Sequence, residues 1–198
     1  MPTDPTPFEP ADISAGRFYQ LLTASIVPRP IAWVSTRAAD GTLNLAPYSF
    51  FTVASTAPPI VQFTSVGHKD SWRNILDTGE FVINIGTETL IDEMNHTSAS
   101  VEASVDEFDL AGLTAQPSAT VAPPRVLEAP ISIECTRHLI LDVGNCAVIL
   151  GAVQHVSIAA SVLADDGLPD FARLAPPSRL GRTEWGLPPA TVVRDRPR

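Results

Sequence analysis

Short runs of alternating apolar and polar residues dominate this chain, and a period of two residues is typical of β-strands. The segments "PIAWVST" and "TLNLA" alternate on either side of "RAADG". In that turn, Asp40 and Gly41 supply the positive φ values that a tight hairpin requires, so a β-hairpin is predicted here. Further strands, rich in β-branched or aromatic residues, are predicted at residues 48–54, 60–66, 80–85, 131–141 and 147–159.

Helices are predicted to be few and short. Ser14 is a candidate N-cap for a helix that uses Phe18 and Leu21 as its apolar face. The segment "ETLIDEMNH" predicts a second helix, and "DSWRNILDT" predicts a third, with Asp70 as its N-cap and Gly79 just beyond its end. Strands that outnumber helices in this way predict a mainly β fold, an antiparallel Greek-key barrel with small helices at its ends and gaps.

The predicted strand 48–54 is apolar on both faces. This pattern predicts that the barrel covers one face and that something other than water covers the second. A flat, largely apolar ligand would suit the second face, and Pro47 favours an edge or bulge that leaves backbone groups free for it. The alternative is a core strand whose hydroxyls bond to the backbone. The backbone groups that would read the edges of a ligand belong to Ser49, Phe50, Phe51 and Thr52.

The segment "TSVGHKDSWRN" gathers hydroxyls and cations at the start of a predicted helix. Free N–H groups and the helix dipole at such a terminus favour an anion, so this segment predicts a phosphate site. The alternative is a capped helix with solvated cations. The polar side chains concerned are Ser65, Lys69, Ser71, Arg73 and Asn74.

With 198 residues, the chain has the length of one domain. We expect a single domain over residues 1–198, with a barrel core at about 14–160 and a C-terminal arm at about 161–198. No apolar run predicts a membrane span, and "MPTDPTPFEP" does not resemble a secretory signal. The two cysteines, Cys135 and Cys146, flank a predicted hairpin turn at Val143 and Gly144, so we expect free thiols in a reducing cytoplasm.

Charge and motifs narrow the function further. A net charge of −9 disfavours nucleic acid as a partner, because its phosphates are bound by Lys and Arg. The four histidines lack metal-ligand spacing, so no metal site is expected. Phosphate-loop, dinucleotide-binding and serine-hydrolase motifs are absent from the sequence, and no catalytic residue is identified. His96 is a candidate for the substrate side of a site; the alternative is a helix-terminal histidine near a carbonyl.

A phosphate site close to an apolar, hydrogen-bonding strand fits one ligand with two such ends, and flavin mononucleotide (FMN) has both. Segments in a fixed order then carry a resemblance: "VPRPIAWVSTRAADGTLNLAPYSFF", "KDSWRNILDTGEFVINI", "MNHTSA", "EFDLAGLT", "PRVLEAPISIEC" and "RLGR". Spread over about residues 14–185, they resemble the flavin reductase-like family of the FMN-binding split barrel. The resemblance implies a six-stranded split barrel and a homodimer with FMN near the interface.

Site residues follow from the same resemblance. Residues 49–52 would hold the flavin ring, Asn74 would support the phosphate site, and Ser65, Lys69 and Ser71 would hold the phosphate itself. Arg29, fixed between two prolines, would reach the flavin or the phosphate; the alternative is a surface arginine at a strand entry. Candidates on the substrate side are His96, Arg179 and Trp185.

The segment "RLGR" departs from the family, because Arg182 stands where a second glycine is common. This departure leaves the choice of substrate open. Hydride transfer from a nicotinamide to a flavin requires no acid or base from the protein, since the cofactor carries the chemistry. We therefore expect an FMN-dependent oxidoreductase, a flavin reductase that uses NADH or NADPH. Two alternatives stay open: a flavin-dependent oxygenase or reductase of another acceptor, and a flavin carrier without turnover.

Overall fold

A seven-stranded antiparallel sheet forms the body of the protein. The computed structural model describes residues 4–197. That residues 1–198 form a single domain stays a prediction, and residues 1–3 and 198 lie outside the described part. In chain order the strands are β1 (Ala32–Arg37), β2 (Leu43–Tyr48), β3 (Phe51–Thr56), β4 (Pro59–Val66), β5 (Glu80–Ile85), β6 (Ala115–Gln116), β7 (Arg125–Val126), β8 (Ile131–Val143), β9 (Cys146–Ile158), β10 (Ser178–Arg179) and β11 (Trp185–Gly186).

The order of strands across the large sheet is β2-β1-β5-β8-β9-β4-β3, while β6 pairs with β7 and β10 with β11. The hairpin of β1 and β2 is confirmed, although Gly41 alone takes a positive φ, of 97°. Asp40 instead accepts a hydrogen bond from the Thr42 N–H at 3.0 Å. In the hairpin of β8 and β9, the turn lies at Gly144 and Asn145, one residue later than predicted, since Val143 pairs with Cys146.

The predicted strand 48–54 is wrong in its bounds, because the chain leaves β2 at Tyr48 and enters β3 at Phe51. These two strands lie at opposite ends of the sheet. Ser49 and Phe50, here called the seam, therefore cross from one end of the sheet to the other. The Phe50 carbonyl accepts a hydrogen bond from the Thr64 N–H of β4 at 2.9 Å. This hydrogen bond continues the pairing of β3 with β4, and the two-residue connection brings β2 and β3, the ends of the sheet, together as a split barrel.

Two clusters of buried apolar residues stabilise this barrel. Inside it, Phe63, Phe81 and Ile149 are fully buried in a cluster to which six strands and a helix contribute. On the outer side, Trp33 and Phe108 belong to a second cluster, and the Trp33 Nε1–H donates to the Thr97 hydroxyl at 2.9 Å. The predicted fold class, mainly β and antiparallel, is confirmed, with seven strands in the large sheet where six were expected.

The helices are short and lie around the barrel. As predicted, the Ser14 hydroxyl caps the first one by accepting from the Arg17 N–H, and Gly79 ends another with a φ of 77°. Among residues 4–197, no helix is long and apolar enough to cross a membrane. The helices are α1 (Ala15–Ser25), α2 (Asp70–Thr78), α3 (Ile91–His96), α4 (Glu107–Ala111) and α5 (Phe171–Leu174), with two 3-10 helices at Glu88–Leu90 and Ala160–Val162.

Candidate functional site

Helix α2 begins without a side-chain cap. Lys69 occupies the N-cap position, and its ammonium group has no acceptor for the N–H groups of the first turn. The prediction of Asp70 as the N-cap is wrong, because Asp70 lies inside the first turn and its carboxylate accepts from Arg73 Nη1 at 2.8 Å. Uncapped N–H groups at the positive end of a helix dipole make a favourable place for an anion.

A cavity of about 350 Å³, here called the polar cleft, opens in front of this helix start. It is walled by β2, the first turn of α2, the loop after α3 and the start of α4. Lys69 is exposed and forms no ion pair within the described part of the chain. A cation without a carboxylate partner thus stands beside free N–H groups. The polar residues on these walls include Asn44, Tyr48, Lys69, Ser71, Arg73 and Glu107.

Ser71 lies at the inner wall of the polar cleft. Its side chain is 1% exposed, and its hydroxyl accepts a hydrogen bond from Asn44 Nδ2 at 2.8 Å. Because the amide of Asn44 donates, the proton of the Ser71 hydroxyl stays available to another acceptor. Ser71 and Lys69 are therefore the two predicted phosphate residues that the fold brings together in one cavity.

The other two predicted phosphate residues lie in the frame of the site. Ser65 is fully buried, and its hydroxyl donates to the Gly67 carbonyl at 2.7 Å. Asn74 donates through Nδ2 to the Thr36 hydroxyl at 3.0 Å, where α2 packs on β1. Neither side chain lines the polar cleft. They fix the turn before α2 and the position of the helix.

A smaller cavity of about 190 Å³, here called the seam cavity, lies against Ser49 and Phe50. Tyr19 of α1 flanks it, with its ring centroid 6.3 Å from that of Phe50. Tyr48 and Lys69 line this cavity and the polar cleft alike. The two cavities therefore adjoin, one beside a cationic helix start and the other beside aromatic rings.

The rest of the predicted ring-binding strand is an edge of the sheet. Phe51 packs against the core of the barrel, whereas Thr52 is exposed. Strand β3 pairs only with β4 in the sheet, so backbone groups on its other side have no ladder partner there. Val53 is 66% exposed, so the described chain does not cover this part of β3.

Arg29 links three parts of the chain by hydrogen bonds. It is 8% exposed, and its Nη1 donates to the carbonyls of Thr23 and Ile26 at the end of α1. Nη2 donates to the Leu180 carbonyl at 2.8 Å, and Nε donates to the Ser49 hydroxyl at 3.3 Å. Arg29 thus reaches the ring-binding segment through Ser49, and it fixes α1 and the C-terminal arm at the same time.

Two of the three substrate-side candidates, Arg179 and Trp185, lie together. The Arg179 guanidinium stacks over the ring of Trp185, 4.9 Å from its centroid, on the paired strands β10 and β11. Backbone hydrogen bonds of 3.0 Å in both directions join Arg179 to Arg29. His96 is exposed at the end of α3, and its neighbour Thr97, rather than His96 itself, lines the polar cleft.

Sequence reasoning missed two residues of the cleft, Tyr48 and Glu107. The Tyr48 side chain is 7% exposed, and its buried hydroxyl lies near the hydroxyls of Ser65 and Ser71 without a hydrogen bond of ordinary geometry to a described residue. Burial raises the pKa of Tyr48, so it stays neutral. An aromatic residue at a strand end gave no signal of this role. An unpartnered buried hydroxyl beside a cavity indicates a place for a ligand group.

Glu107 is a buried carboxyl on the wall of the polar cleft. Its Oε2 accepts from the Leu45 N–H at 3.1 Å, which covers the free edge of β2. Burial raises the pKa of Glu107, because desolvation disfavours the charged form more than this hydrogen bond favours it.

Glu107→Gln is expected to change how stability depends on pH. A folded pKa above the unfolded one stabilises the protein below the unfolded value, about 4.3, and this contribution is lost as pH rises through the folded pKa. Wild type should therefore lose stability relative to Glu107→Gln as pH rises from about 4 towards 7. Denaturant unfolding of both proteins across that range measures this, and a relative gain by wild type would contradict it.

Comparisons with known proteins concern the family and the fold of the chain. The family model of the "Flavin reductase like domain" matches residues 24–172. An uncharacterized protein from Halalkalibacterium halodurans is 34% identical over 95% of this chain and 95% of its own length. The chain therefore matches this relative over nearly the whole length of both proteins.

Two solved structures are similar over nearly the whole chain. Nitrilotriacetate monooxygenase component B from Bacillus cereus is 29% identical, with a TM-score of 0.91 over 98% of this chain and 100% of that one. The 2-nitrobenzoate 2-nitroreductase NbaA from Pseudomonas fluorescens is 26% identical, with a TM-score of 0.90 over 97% of this chain and 96% of that one.

Proposed function

This chain belongs to the family of the flavin reductase like domain, and from that premise we propose that it is an FMN-dependent oxidoreductase that takes a hydride from NADH or NADPH. One observation carries the proposal. The uncapped, cationic start of α2 adjoins an aromatic cavity at the seam, and Tyr48 and Lys69 line both. A ligand with a phosphate at one end and a flat ring at the other matches this pair.

The residues present fit FMN at both ends. For the phosphate, the first turn of α2 offers free N–H groups, Lys69 offers an unpaired cation and Ser71 offers a hydroxyl proton. For the ring, the seam cavity offers the aromatic faces of Tyr19 and Phe50. The unpartnered hydroxyl of Tyr48 would gain a partner from a polar edge of the ligand.

FMN supplies the hydride-accepting chemistry when it is bound. The chain binds and orients it: Lys69 attracts the phosphate, and the seam is held in place by Arg29 through the Ser49 hydroxyl. No proton transfer by a side chain is required for a hydride to pass between nicotinamide and flavin.

Tyr48→Phe tests the fit of the polar cleft. The ligand-free protein should keep its stability or gain up to about 1 kcal/mol, because the lost hydroxyl has no partner. FMN affinity should fall by about tenfold, the value of a lost hydrogen bond. Thermal unfolding without ligand and a flavin fluorescence titration measure the two effects. Unchanged FMN affinity would remove Tyr48 from the binding site.

The proposed activity is tested by an anaerobic titration of the FMN-reconstituted protein with NADH and, separately, with NADPH. We expect the visible absorbance of the flavin to bleach in a protein-dependent manner with at least one donor. Free FMN at the same concentration is the control. Retention of FMN without any bleaching would indicate a flavin carrier instead of an enzyme.

A second candidate function is the reduction of an organic nitro compound. The likeness to NbaA over nearly the whole chain favours it. Addition of 2-nitrobenzoate to the reduced protein under nitrogen separates the two, since a nitroreductase reoxidises its flavin and forms a reduced product. Oxygen uptake with product formation would instead identify an oxygenase.

We also propose that the protein is a cytoplasmic homodimer. Leu139, Leu141 and Val143 alternate along β8 with 50%, 53% and 53% of their surfaces exposed, so one face of this strand presents an apolar row. Both cysteines are free thiols, which is compatible with a reducing compartment. Light scattering coupled to size exclusion measures the mass, and a monomer at micromolar concentration would contradict the dimer.

A further inference from the structure

A third cavity, of about 670 Å³, lies between α1 and the C-terminal arm. Four arginines line this arginine cavity: Arg17, Arg29, Arg179 and Arg182. No Asp or Glu of residues 4–197 is among its lining residues. In a chain with a net charge of −9, this concentration of positive charge runs against the overall composition. Hydroxyls of Tyr19 and Ser49 complete its polar surface.

The positive charge of the arginine cavity is poorly neutralised. Within the described residues, only Arg182 has a carboxylate within 4.0 Å, that of Glu184 at 3.7 Å on the rim. Arg179 is stacked on Trp185, and its Nη2 donates to the Arg182 carbonyl at 3.4 Å. Arg17 donates to the side chain of Gln20 at 3.2 Å. An anion would supply the charge that the neighbouring side chains do not.

Arg29 gives the arginine cavity a buried floor. It is 8% exposed and makes four side-chain hydrogen bonds, three to carbonyls and one to Ser49. One hydrogen of its Nη2 remains without an acceptor in the described structure. Desolvation lowers the pKa of Arg29, and the charge of the neighbouring Arg179 makes a smaller contribution in the same direction.

Arg182 is held in an unusual backbone conformation. Its φ is +57°, in the left-handed region that favours glycine, and the residue lines the arginine cavity. Glycine would adopt this φ without strain but would bring no charge. An arginine at a position whose backbone suits glycine indicates that the charged side chain has a binding role.

The arginine cavity also adjoins the site proposed for FMN. Tyr19 and Ser49 line it and the seam cavity alike. A second ligand could therefore place its reactive end at the seam and its charged end among the arginines. The inference that follows rests on the proposed function, because the second ligand is the hydride donor.

We propose that the arginine cavity binds the phosphates of the nicotinamide dinucleotide donor, and that Arg17 and Arg182 select NADPH over NADH through its 2′-phosphate. Arginine binds phosphate oxygens in a bidentate manner, and a 2′-phosphate is close to dianionic at neutral pH. Recognition of the free ribose 2′-hydroxyl of NADH commonly uses a carboxylate, whereas arginine accommodates the 2′-phosphate. The charges on the walls of the arginine cavity match the second case.

Binding of adenosine 2′,5′-bisphosphate to the full-length, FMN-loaded protein tests this directly, by calorimetry at low salt and without any turnover. Wild type should bind it at least about tenfold more tightly than ADP, which lacks the 2′-phosphate. Arg17→Gln and Arg182→Gly should each remove most of that preference. Glycine suits the backbone at position 182, so that variant is expected to fold. Arg37→Gln, an exposed arginine outside all three cavities, is the matched control.

The outcomes separate this inference from the proposed function. Equal binding of the two probes, or a preference that survives both arginine substitutions, would overturn the selection of NADPH while leaving flavin reduction intact. If Arg17→Gln and Arg182→Gly weaken FMN instead of the bisphosphate, the arginine cavity holds the flavin phosphate and the inference is wrong. If the bisphosphate binds as expected but neither donor bleaches the flavin, the binding site stands and the reductase proposal fails.

Discussion

Arg29→Ala is expected to lower the free energy of unfolding by about 3 to 4 kcal/mol. The guanidinium is buried and satisfies the carbonyls of Thr23, Ile26 and Leu180 as well as the Ser49 hydroxyl. An alanine would leave these buried acceptors without donors, at a cost of about 1 to 3 kcal/mol for each group that water cannot reach. Urea unfolding followed by circular dichroism measures the loss.

The same change should also release parts of the chain. Arg29 links the end of α1 to the C-terminal arm, so limited proteolysis is expected to cut near Leu180 earlier than in wild type. Arg37→Ala is the matched control, because Arg37 is exposed at the end of β1. A loss in Arg29→Ala no larger than in this control would show that the carbonyls find other donors.

Lys69→Ala is expected to weaken FMN binding by about 1.5 to 3 kcal/mol, the range for a hydrogen bond to a charged group. Lys69 has no ion pair in the described structure, so its loss leaves no carboxylate unpaired. The fold should be unaffected, because the side chain is exposed. Fluorescence titrations with FMN and with riboflavin, which lacks the phosphate, measure the effect.

The comparison of two ligands makes this test specific. Lys69→Ala should weaken FMN and leave riboflavin unchanged, whereas a general disturbance of the site would weaken both. Arg73→Ala is a control cation from the same helical turn, and it should matter less because Arg73 is paired with Asp70 at 2.8 Å. Equal affinities of wild type and Lys69→Ala for FMN would exclude Lys69 from the phosphate site.

Local patterns were sufficient for much of this fold. The hairpin of β1 and β2 and the limits of β5 follow from alternation and turn residues, which act between near neighbours. The break at Ser49 and Phe50 was not predicted, because it depends on where the two ends of a seven-stranded sheet meet. Neither residue breaks strands by itself, so the sequence around them reads as one continuous strand.

The candidate site divides in the same way. Lys69 and Ser71 were found because cations and hydroxyls at a helix start are a local signal. Arg29 was placed at the site, but its role as a link was not foreseen, since Leu180 lies 151 positions away along the chain. Glu107 approaches β2 across 62 positions, and its burial, which raises its pKa, follows only from the packing of α4.

The seam also has a consequence for how long the protein persists in the cell before it is degraded. Ser49 and Phe50 connect the two ends of the sheet. Strands β2 and β3 should therefore open locally more often at this connection than other parts of the sheet do. A cofactor bound at this connection would stabilise the native state, because a molecule that binds only the native state raises the melting temperature of the protein. The supply of flavin in the cell would then set how long each polypeptide escapes degradation.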